Sequence, residues 1–188
     1  MKKLAYIATF VAAITMFLSS CNNAGNGGNA GGNDSISADS EVVDTTVYGR
    51  CGEGSAMNSV ELITDAGDTL RYILLDSEDN PADVQGGLLT GDRLAVIGQE
   101  INGELIATRV INLTTLIGKW TSLDKNFEIL EGGEVKSNVK TESQPWVAWK
   151  ILNGQLLLNT DTFTINELGA DSLYLENNAG IFVYKRAE

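Results

Sequence analysis

Alternating apolar and polar residues fill most of the chain after residue 42 and predict an all-β protein. In the first half, this period of two predicts strands over 46–51, 60–64, 69–75, 93–98 and 104–112. Asn102-Gly103 separates the last two strands, and because Asn-Gly suits the positive φ angles of a type I′ turn, it predicts a hairpin. The segment 84–89 contains Gly86-Gly87 and predicts a single helical turn or an irregular stretch.

The pattern becomes denser after residue 117, where turn signals recur at short, regular intervals. It predicts strands over 119–123, 127–130, 134–138, 146–152, 155–159, 162–167, 172–176 and 181–185. Strict alternation, as in Leu156/Leu158 and Leu173/Leu175, indicates sheets with one buried and one wet face. Such a series of short strands is typical of an antiparallel barrel or sandwich. The connection over 113–117 is short and apolar, so we expect the two halves to pack rigidly.

The five strands predicted within residues 42–116, with an insert between the third and fourth, resemble an OB-fold barrel in their order. OB barrels commonly bind single-stranded nucleic acid through basic grooves and stacked aromatic rings. Here the aromatic residues of the predicted strands are only Tyr48 and Tyr72. The whole chain has 13 basic and 25 acidic side chains, a formal net charge of −12. We therefore expect no nucleic-acid partner.

Residues 117–188 carry a second resemblance, on an ordered set of motifs. Gly118-Lys119-Trp120 matches the Gly-x-Trp entry strand of lipocalins, and Tyr184-Lys185-Arg186 closes the segment. Between them lie the run 126–130, Trp149 and the run 156–158. The set resembles the lipocalin-like domain found in lipoproteins of gut-dwelling Gram-negative bacteria. This resemblance implies an up-and-down antiparallel barrel, in which Arg186 or Lys185 covers Trp120 through a cation–π contact.

The N-terminus predicts export. Lys2 and Lys3 precede an apolar run over 4–18, which is too short to span a bilayer comfortably. The following Leu18-Ser19-Ser20-Cys21 resembles the lipobox of bacterial lipoproteins, which implies a signal peptide over 1–20 and acylation of Cys21, for example with palmitate. The alternative is a chance cysteine after an ordinary secretory signal. By the same resemblance Asn22, where Asp would retain the protein at the inner membrane, favours the outer membrane.

The segment 21–41 is rich in Asn, Gly and Ser and predicts a disordered tether, because such a composition buries too little apolar surface. The expected organisation is therefore a signal peptide over 1–20, the tether over 21–41, an OB-like domain over 42–116 and a lipocalin-like domain over 117–188. This arrangement predicts an envelope protein attached to a membrane by its N-terminal lipid.

The residue types present argue against catalysis. The chain has no histidine, which removes the commonest general base and metal ligand. With Cys21 acylated, Cys51 is the only other cysteine, and its apolar-alternating surroundings predict a small buried side chain rather than a reactive thiol. The acidic loop around Asp76 and Asp79 has Pro81 where a calcium-binding EF-hand needs glycine, so we expect a solvated loop. No catalytic residue, cofactor or metal site is predicted.

The three tryptophans are the candidate contact residues. Trp120 and Trp149 are each expected either to fill the barrel core or, less favoured, to line a ligand pocket. Trp146 follows Gln144-Pro145 and is the better candidate for an exposed contact with a ligand or partner. The sequence thus favours a non-catalytic binding role, for a small apolar molecule or a glycan. The alternative is an accessory subunit that docks onto another envelope protein.

Overall fold

The computed structural model describes residues 43–75, 80–139 and 143–187. The predicted signal peptide, the tether with Cys21 and Asn22, and residues 76–79 of the acidic loop lie outside the described residues. Contacts between Cα atoms group the residues from Glu41 to Glu188 into one compact unit. Within that unit the chain forms two β-barrels, so the predicted all-β fold class is confirmed.

The described strands follow one another with short connections. In the first barrel they are β1 Val47–Cys51, β2 Ser59–Thr64, β3 Thr69–Ile73, β4 Asp83–Gln85, β5 Arg93–Ile101 and β6 Glu104–Asn112. A single helical turn, α1 Leu113–Leu116, leads to the second barrel. There the strands are β7 Gly118–Thr121, β8 Asn126–Ile129, β9 Val135–Ser137, β10 Trp149–Leu152, β11 Gln155–Leu158, β12 Asp161–Leu168, β13 Ser172–Asn177 and β14 Gly180–Arg186.

The first barrel closes because β6 pairs with β3 as well as with β5. The sheet runs in the order β3-β2-β1-β5-β6, and the parallel pairs Tyr72–Leu105 and Ile73–Ile106 join its two ends. This is a five-stranded Greek-key barrel of OB-like size. The predicted Asn102-Gly103 hairpin is confirmed, with φ angles of 55° and 86° at the two turn residues.

One segment differs in part from the prediction. Residues 86–89 are irregular, as one of the two alternatives predicts, but Asp83–Gln85 forms the short strand β4, parallel to β6 at Arg109–Ile111. Its backbone groups pair with the part of β6 that extends beyond β3, so they are satisfied by a non-local partner. Gly86 and Gly87 then end the strand, with φ angles of 87° and 73°.

The second barrel is an eight-stranded antiparallel sheet in the order β10-β11-β12-β13-β14-β7-β8-β9. All eight strands expected from the sequence are present, with ends that differ by a few residues. Its two edges approach each other where Glu134 bridges Ala148 and the Val135 N–H donates to the Val147 carbonyl at 3.0 Å. The barrel is therefore nearly closed and lipocalin-like in its strand order.

The two barrels share one apolar core across α1. Ala95 and Ile111 of the first barrel pack in the same cluster as Leu113, Leu116 and the interior of the second barrel. Leu94 and Val96, which alternate with Ala95 on β5, pack instead into the core of the first barrel. Strand β5 is thus buried on both faces at its centre, and the two barrels are in contact through this shared core.

Polar contacts add to this interface. The Tyr48 hydroxyl donates to the Ile151 carbonyl at 2.8 Å. The Asn153 side-chain oxygen accepts from the Thr45 N–H at 2.8 Å, and the Asn153 N–H donates to the Thr46 hydroxyl at 3.0 Å. The Arg109 guanidinium donates to the Ile165 carbonyl. Each of these contacts joins the first half of the chain to the second barrel.

Candidate ligand-binding cleft at the mouth of the second barrel

The interior of the second barrel is filled by its own side chains. The residues that are wholly buried there include Trp120, Ile129, Leu156, Leu158, Ile165, Leu173 and Leu175, each with 0% exposure. Short strands bring opposite walls close enough for such side chains to meet at the axis. An enclosed apolar chamber of the lipocalin kind would require displacing them, so the open end is the place for a ligand.

At that open end lies a cleft with a volume of about 980 Å³, which we call the mouth cleft. This volume falls in the range of small-molecule sites, roughly 300–1,000 Å³. It lies between the loop after β7, the segment before β10, the β11–β12 turn and strand β14. Its polar lining is provided mainly by hydroxyl and amide side chains: Ser122, Ser143, Gln144, Asn159, Thr160 and Asn177.

Trp146, one of the contact residues predicted from the sequence, lines the mouth cleft. The expectation that it is exposed is wrong, because only 7% of its surface is accessible. Its ring packs edge-to-face on Phe127 at 5.1 Å and on Phe163 at 5.7 Å. Its indole N–H donates to the Asp161 carboxylate at 3.1 Å. Trp146 therefore lies in the wall of the cleft, with a fixed orientation.

Asn159 holds the segment that carries this tryptophan. Its side-chain oxygen accepts from the N–H groups of Val147 and Ala148 at 2.9 and 3.1 Å, and its side-chain nitrogen donates to the Pro145 carbonyl at 3.1 Å. Asn159 has a φ angle of 55°, a left-handed conformation that asparagine tolerates well. Asn159 is not among the residues that the sequence pattern predicts for a site. The available signal was an asparagine at a strand end, which indicates a turn but not its distant partner.

Charged groups sit beside the tryptophan. The Lys125 ammonium lies 4.1 Å from the centre of the Trp146 ring, a cation–π contact. Asp124 and Asp161 supply carboxylates to the same cleft. The cleft thus presents hydrogen-bond donors and acceptors of several kinds around one aromatic ring, which suits a ligand with many hydroxyl groups.

The other two tryptophans lie elsewhere. Trp120 is in the barrel core with its indole N–H on the Leu116 carbonyl at 2.8 Å, and Arg186 stacks 4.2 Å from its ring. Burial lowers the pKa of Arg186, opposed by the charge of Asp171. Trp149 is only partly buried and donates to the Leu130 carbonyl at 2.7 Å. The cation–π contact expected for Arg186 is present, and the three tryptophans do not converge on one site.

Part of the lining of the mouth cleft is apolar and exposed to solvent. Leu123 is fully exposed, and Ile181 and Val183 retain 62% and 45% of their accessible surface. Ile181 and Val183 lie two residues apart on β14 and therefore on the same, outer face of the sheet. Large apolar side chains left in water in a group are typical of contact surfaces.

Several kinds of site do not occur in the described part of the chain. Residues 43–75, 80–139 and 143–187 contain no group of three or more His, Cys, Asp or Glu side chains that could hold a metal ion. No helix among the described residues combines the length and the apolar character needed to cross a bilayer. Cys51 is a free, buried cysteine, as its apolar surroundings predicted.

No protein family, no curated protein and no solved structure matches this chain.

Proposed function

We propose that this protein is a lipid-anchored, non-catalytic binding protein of the bacterial cell envelope, held at the outer membrane through Cys21. We further propose that its ligand is a neutral glycan, bound at the mouth cleft. The observation that carries this proposal is the polar part of the cleft lining, where hydroxyl, amide and carboxylate groups lie beside the ordered, largely buried indole of Trp146. A small apolar cargo is less well supported, because the barrel interior is filled.

The family assignment belongs to the same proposal. The motifs around Trp120 and Arg186 support a lipocalin-like domain of the kind found in lipoproteins of gut-dwelling Gram-negative bacteria, and the five-stranded barrel precedes it as an OB-like module. A glycan-binding lipoprotein fits this setting because an acyl anchor keeps the mouth cleft next to the envelope, where polysaccharides are abundant. Mass spectrometry of the N-terminal peptide, with Cys21→Ser as control, tests the anchor.

The binding role is tested on an array of neutral glycans with the full chain purified in detergent. Gln144 and Thr160 are exposed in the mouth cleft, so the double variant Gln144→Ala/Thr160→Ala removes two polar contacts without touching the core. The matched control is Thr69→Ala/Gln99→Ala, which makes the same changes at exposed sites of the first barrel. We expect the first variant to lose binding at least tenfold and the control to bind normally. Equal binding by both variants would overturn the mouth cleft as the site.

A second candidate function is an accessory subunit that docks onto another envelope protein. The exposed group Leu123, Ile181 and Val183 favours it. Replacing Ile181 and Val183 by threonine keeps the β-branched shape that suits a strand but removes the apolar surface. If the protein is a subunit, cross-linking in intact cells should give one defined adduct that this variant loses. Absence of an adduct, with glycan binding intact, supports the binding role alone.

A further inference from the structure

A second cleft lies along the junction of the two barrels. Its volume is about 620 Å³, within the range of roughly 300–1,000 Å³ for ligand sites. Strands β1 and β5 form one wall, and β10 with the turn after β8 forms the other. We call it the junction cleft. None of its lining residues lines the mouth cleft, so the two are separate sites.

Two arginines meet on the first wall. Arg50 of β1 and Arg93 of β5 are directly paired across the antiparallel strands, so their side chains leave the sheet on the same face. Like charges in such a position destabilise a sheet unless something offsets them. Arg93 is offset by Asp65, whose two carboxylate oxygens it binds in a two-point ion pair. Arg50 instead donates to the Gly91 carbonyl at 3.1 Å, and neither of the ion pairs found among the described residues includes it.

The second wall adds another cation. Lys150 of β10 is exposed and lines the junction cleft, and none of the ion pairs of the described residues includes it. The chain as a whole carries a net charge of −12. Asp44 interacts electrostatically with Lys150, and Asp65 with Arg50, but neither carboxylate forms an ion pair with these cations. Arg50 and Lys150 therefore place two cations outside any described ion pair at one cleft of an acidic protein. A group of like charges at a cleft with low-dielectric walls raises the local concentration of ligands of opposite charge.

Two aromatic rings complete the lining, and both have their polar ends already satisfied. The Trp149 indole N–H donates to the Leu130 carbonyl at 2.7 Å, and the Tyr48 hydroxyl donates to the Ile151 carbonyl at 2.8 Å. Burial raises the pKa of Tyr48, so this hydroxyl stays protonated and keeps its hydrogen bond. Both residues are only partly buried. The two rings therefore contribute apolar surface to the cleft, and their hydrogen bonds fix the orientation of each ring.

Backbone and acidic groups shape the remaining side. Gly132 and Gly133, with φ angles of 80° and 87°, turn the chain at the edge of the cleft without adding side chains. Asp92 and Glu131 also line it, and the Asp92 carboxylate accepts from the Asn112 side-chain amide at 2.6 Å. These two carboxylates repel a small anion that has no hydroxyl groups. They can accept hydrogen bonds from hydroxyl groups.

From these features we infer that the junction cleft binds an acidic saccharide, a sugar that carries a carboxylate or sulfate group. Arg50 and Lys150 hold the anionic group, one from each barrel. The sugar ring lies against Trp149, and its hydroxyls donate to Glu131. Because each barrel supplies one cation, the site exists only while the two barrels keep their present arrangement. This inference concerns a different cleft and a different charge class from the neutral-glycan site, and it does not depend on that proposal.

The test follows the indole N–H signals of the full chain by NMR. The probes are a tetrasaccharide containing glucuronic acid, its neutral glucose counterpart and inorganic sulfate. We expect the acidic tetrasaccharide to shift the Trp149 indole signal while the Trp146 signal in the mouth cleft stays in place. The variant Arg50→Gln/Lys150→Gln should weaken this binding at least tenfold. The matched control Arg71→Gln/Lys136→Gln removes the same two charge types at exposed positions outside the cleft and should bind as the original chain does.

Several results would overturn the inference. One is that the acidic tetrasaccharide does not shift the Trp149 signal at millimolar concentration. Another is that both double variants lose binding equally, because binding would then depend only on the net charge of the protein. A further one is that sulfate or the neutral tetrasaccharide shifts the Trp149 signal as strongly as the acidic tetrasaccharide, since the cleft would then recognise the anionic group alone or the sugar alone. If neutral glycans shift only the Trp146 signal, that result tests the mouth cleft and neither supports nor contradicts the junction cleft.

Discussion

The side-chain oxygen of Gln85 accepts a hydrogen bond of 2.9 Å from the backbone N–H of Leu168, a residue 83 positions further along the chain. Gln85 belongs to the short strand β4 of the first barrel, and Leu168 ends strand β12 of the second. Between Ile165 and Glu167 the register of β12 against β13 shifts, as in a β-bulge. Leu168 lies beyond the stretch of β12 that pairs with β11, and a side chain from the neighbouring barrel accepts the hydrogen bond from its N–H.

The first prediction tests this contact. Gln85→Ala removes the partner of the Leu168 N–H, and an unsatisfied partly buried backbone donor costs about 1–3 kcal/mol. We expect the free energy of unfolding to fall by that amount, measured by urea denaturation of the full chain. Gln99→Ala, at an exposed position near the end of β5, is the control and should change little. An equal, small effect of both substitutions would show that water replaces Gln85 at no cost.

The second prediction concerns Arg186. Its guanidinium donates to the carbonyls of Ala170, Ile117 and Thr115 while stacking on Trp120. A lysine keeps the charge but lacks the planar fork that reaches several carbonyls at once. We therefore expect Arg186→Lys to lower the free energy of unfolding by about 1.5–3 kcal/mol, the range for hydrogen bonds to a charged group. Arg71→Lys, an exposed arginine on β3, is the matched control and should lose much less.

The strand pattern was largely predictable because the signal is local. Leu156/Leu158 and Leu173/Leu175 alternate cleanly, and in the structure these four residues all have 0% exposure. The Asn102-Gly103 turn was equally readable, since both residues need positive φ angles. The fold class followed from these local patterns and from the order of the strands.

Features that depend on distant partners could not be predicted. Strand β4 has only three residues, and its pairing with β6 is parallel and non-local, so Gly86-Gly87 was the stronger local signal. The position of Trp146 after Gln144-Pro145 predicts an edge or loop residue in contact with solvent, whereas the segment that buries it is held by Asn159, 13 positions further along the chain. The pairing of Arg50 with Arg93 likewise depends on the register of two strands separated by β2, β3 and β4. The sequence named single residues of each cleft but not their combination.

The third prediction is a pH dependence. The hydrogen bond from Arg93 lowers the pKa of Asp65 below its ordinary value of 3.8, so the charged carboxylate is favoured in the folded state. A lowered folded-state pKa means that this pair stabilises the protein above the ordinary pKa, and that the stabilisation is lost as the pH falls through the lowered value. The two side chains are 36% and 54% exposed, so water screens the pair.

Asp65→Asn should therefore lower the free energy of unfolding at pH 7 by less than about 1 kcal/mol, the range for exposed ion pairs. The difference from the original chain should shrink below the ordinary pKa and vanish in stronger acid, where the carboxylate is protonated in both states. Denaturation curves at a series of pH values check this, with the exposed Asp68→Asn as control. A difference that stays constant down to strong acid would show that the effect of the substitution is not electrostatic.

The last prediction uses two glycines that share a backbone conformation but differ in their surroundings. Gly154, in the β10–β11 turn, has a φ angle of 81°, and Gly67, in the β2–β3 turn, has one of 93°. A Cβ atom added to Gly154 would lie 2.9 Å from the Cδ atom of Arg109, whereas one added to Gly67 would meet nothing within 4 Å. Both alanine variants suffer the cost of a positive φ, roughly 1 kcal/mol or more.

Only Gly154→Ala should in addition push Arg109 away from the Ile165 carbonyl, which it binds across the junction of the barrels. We expect Gly154→Ala to lower the midpoint of thermal unfolding by several degrees more than Gly67→Ala, since about 1 kcal/mol corresponds to roughly 2–4 °C in a domain of this size. Hydrogen exchange at β12 should rise in Gly154→Ala alone. Equal midpoints would mean that Arg109 moves aside freely and that the turn is not a fixed part of the junction.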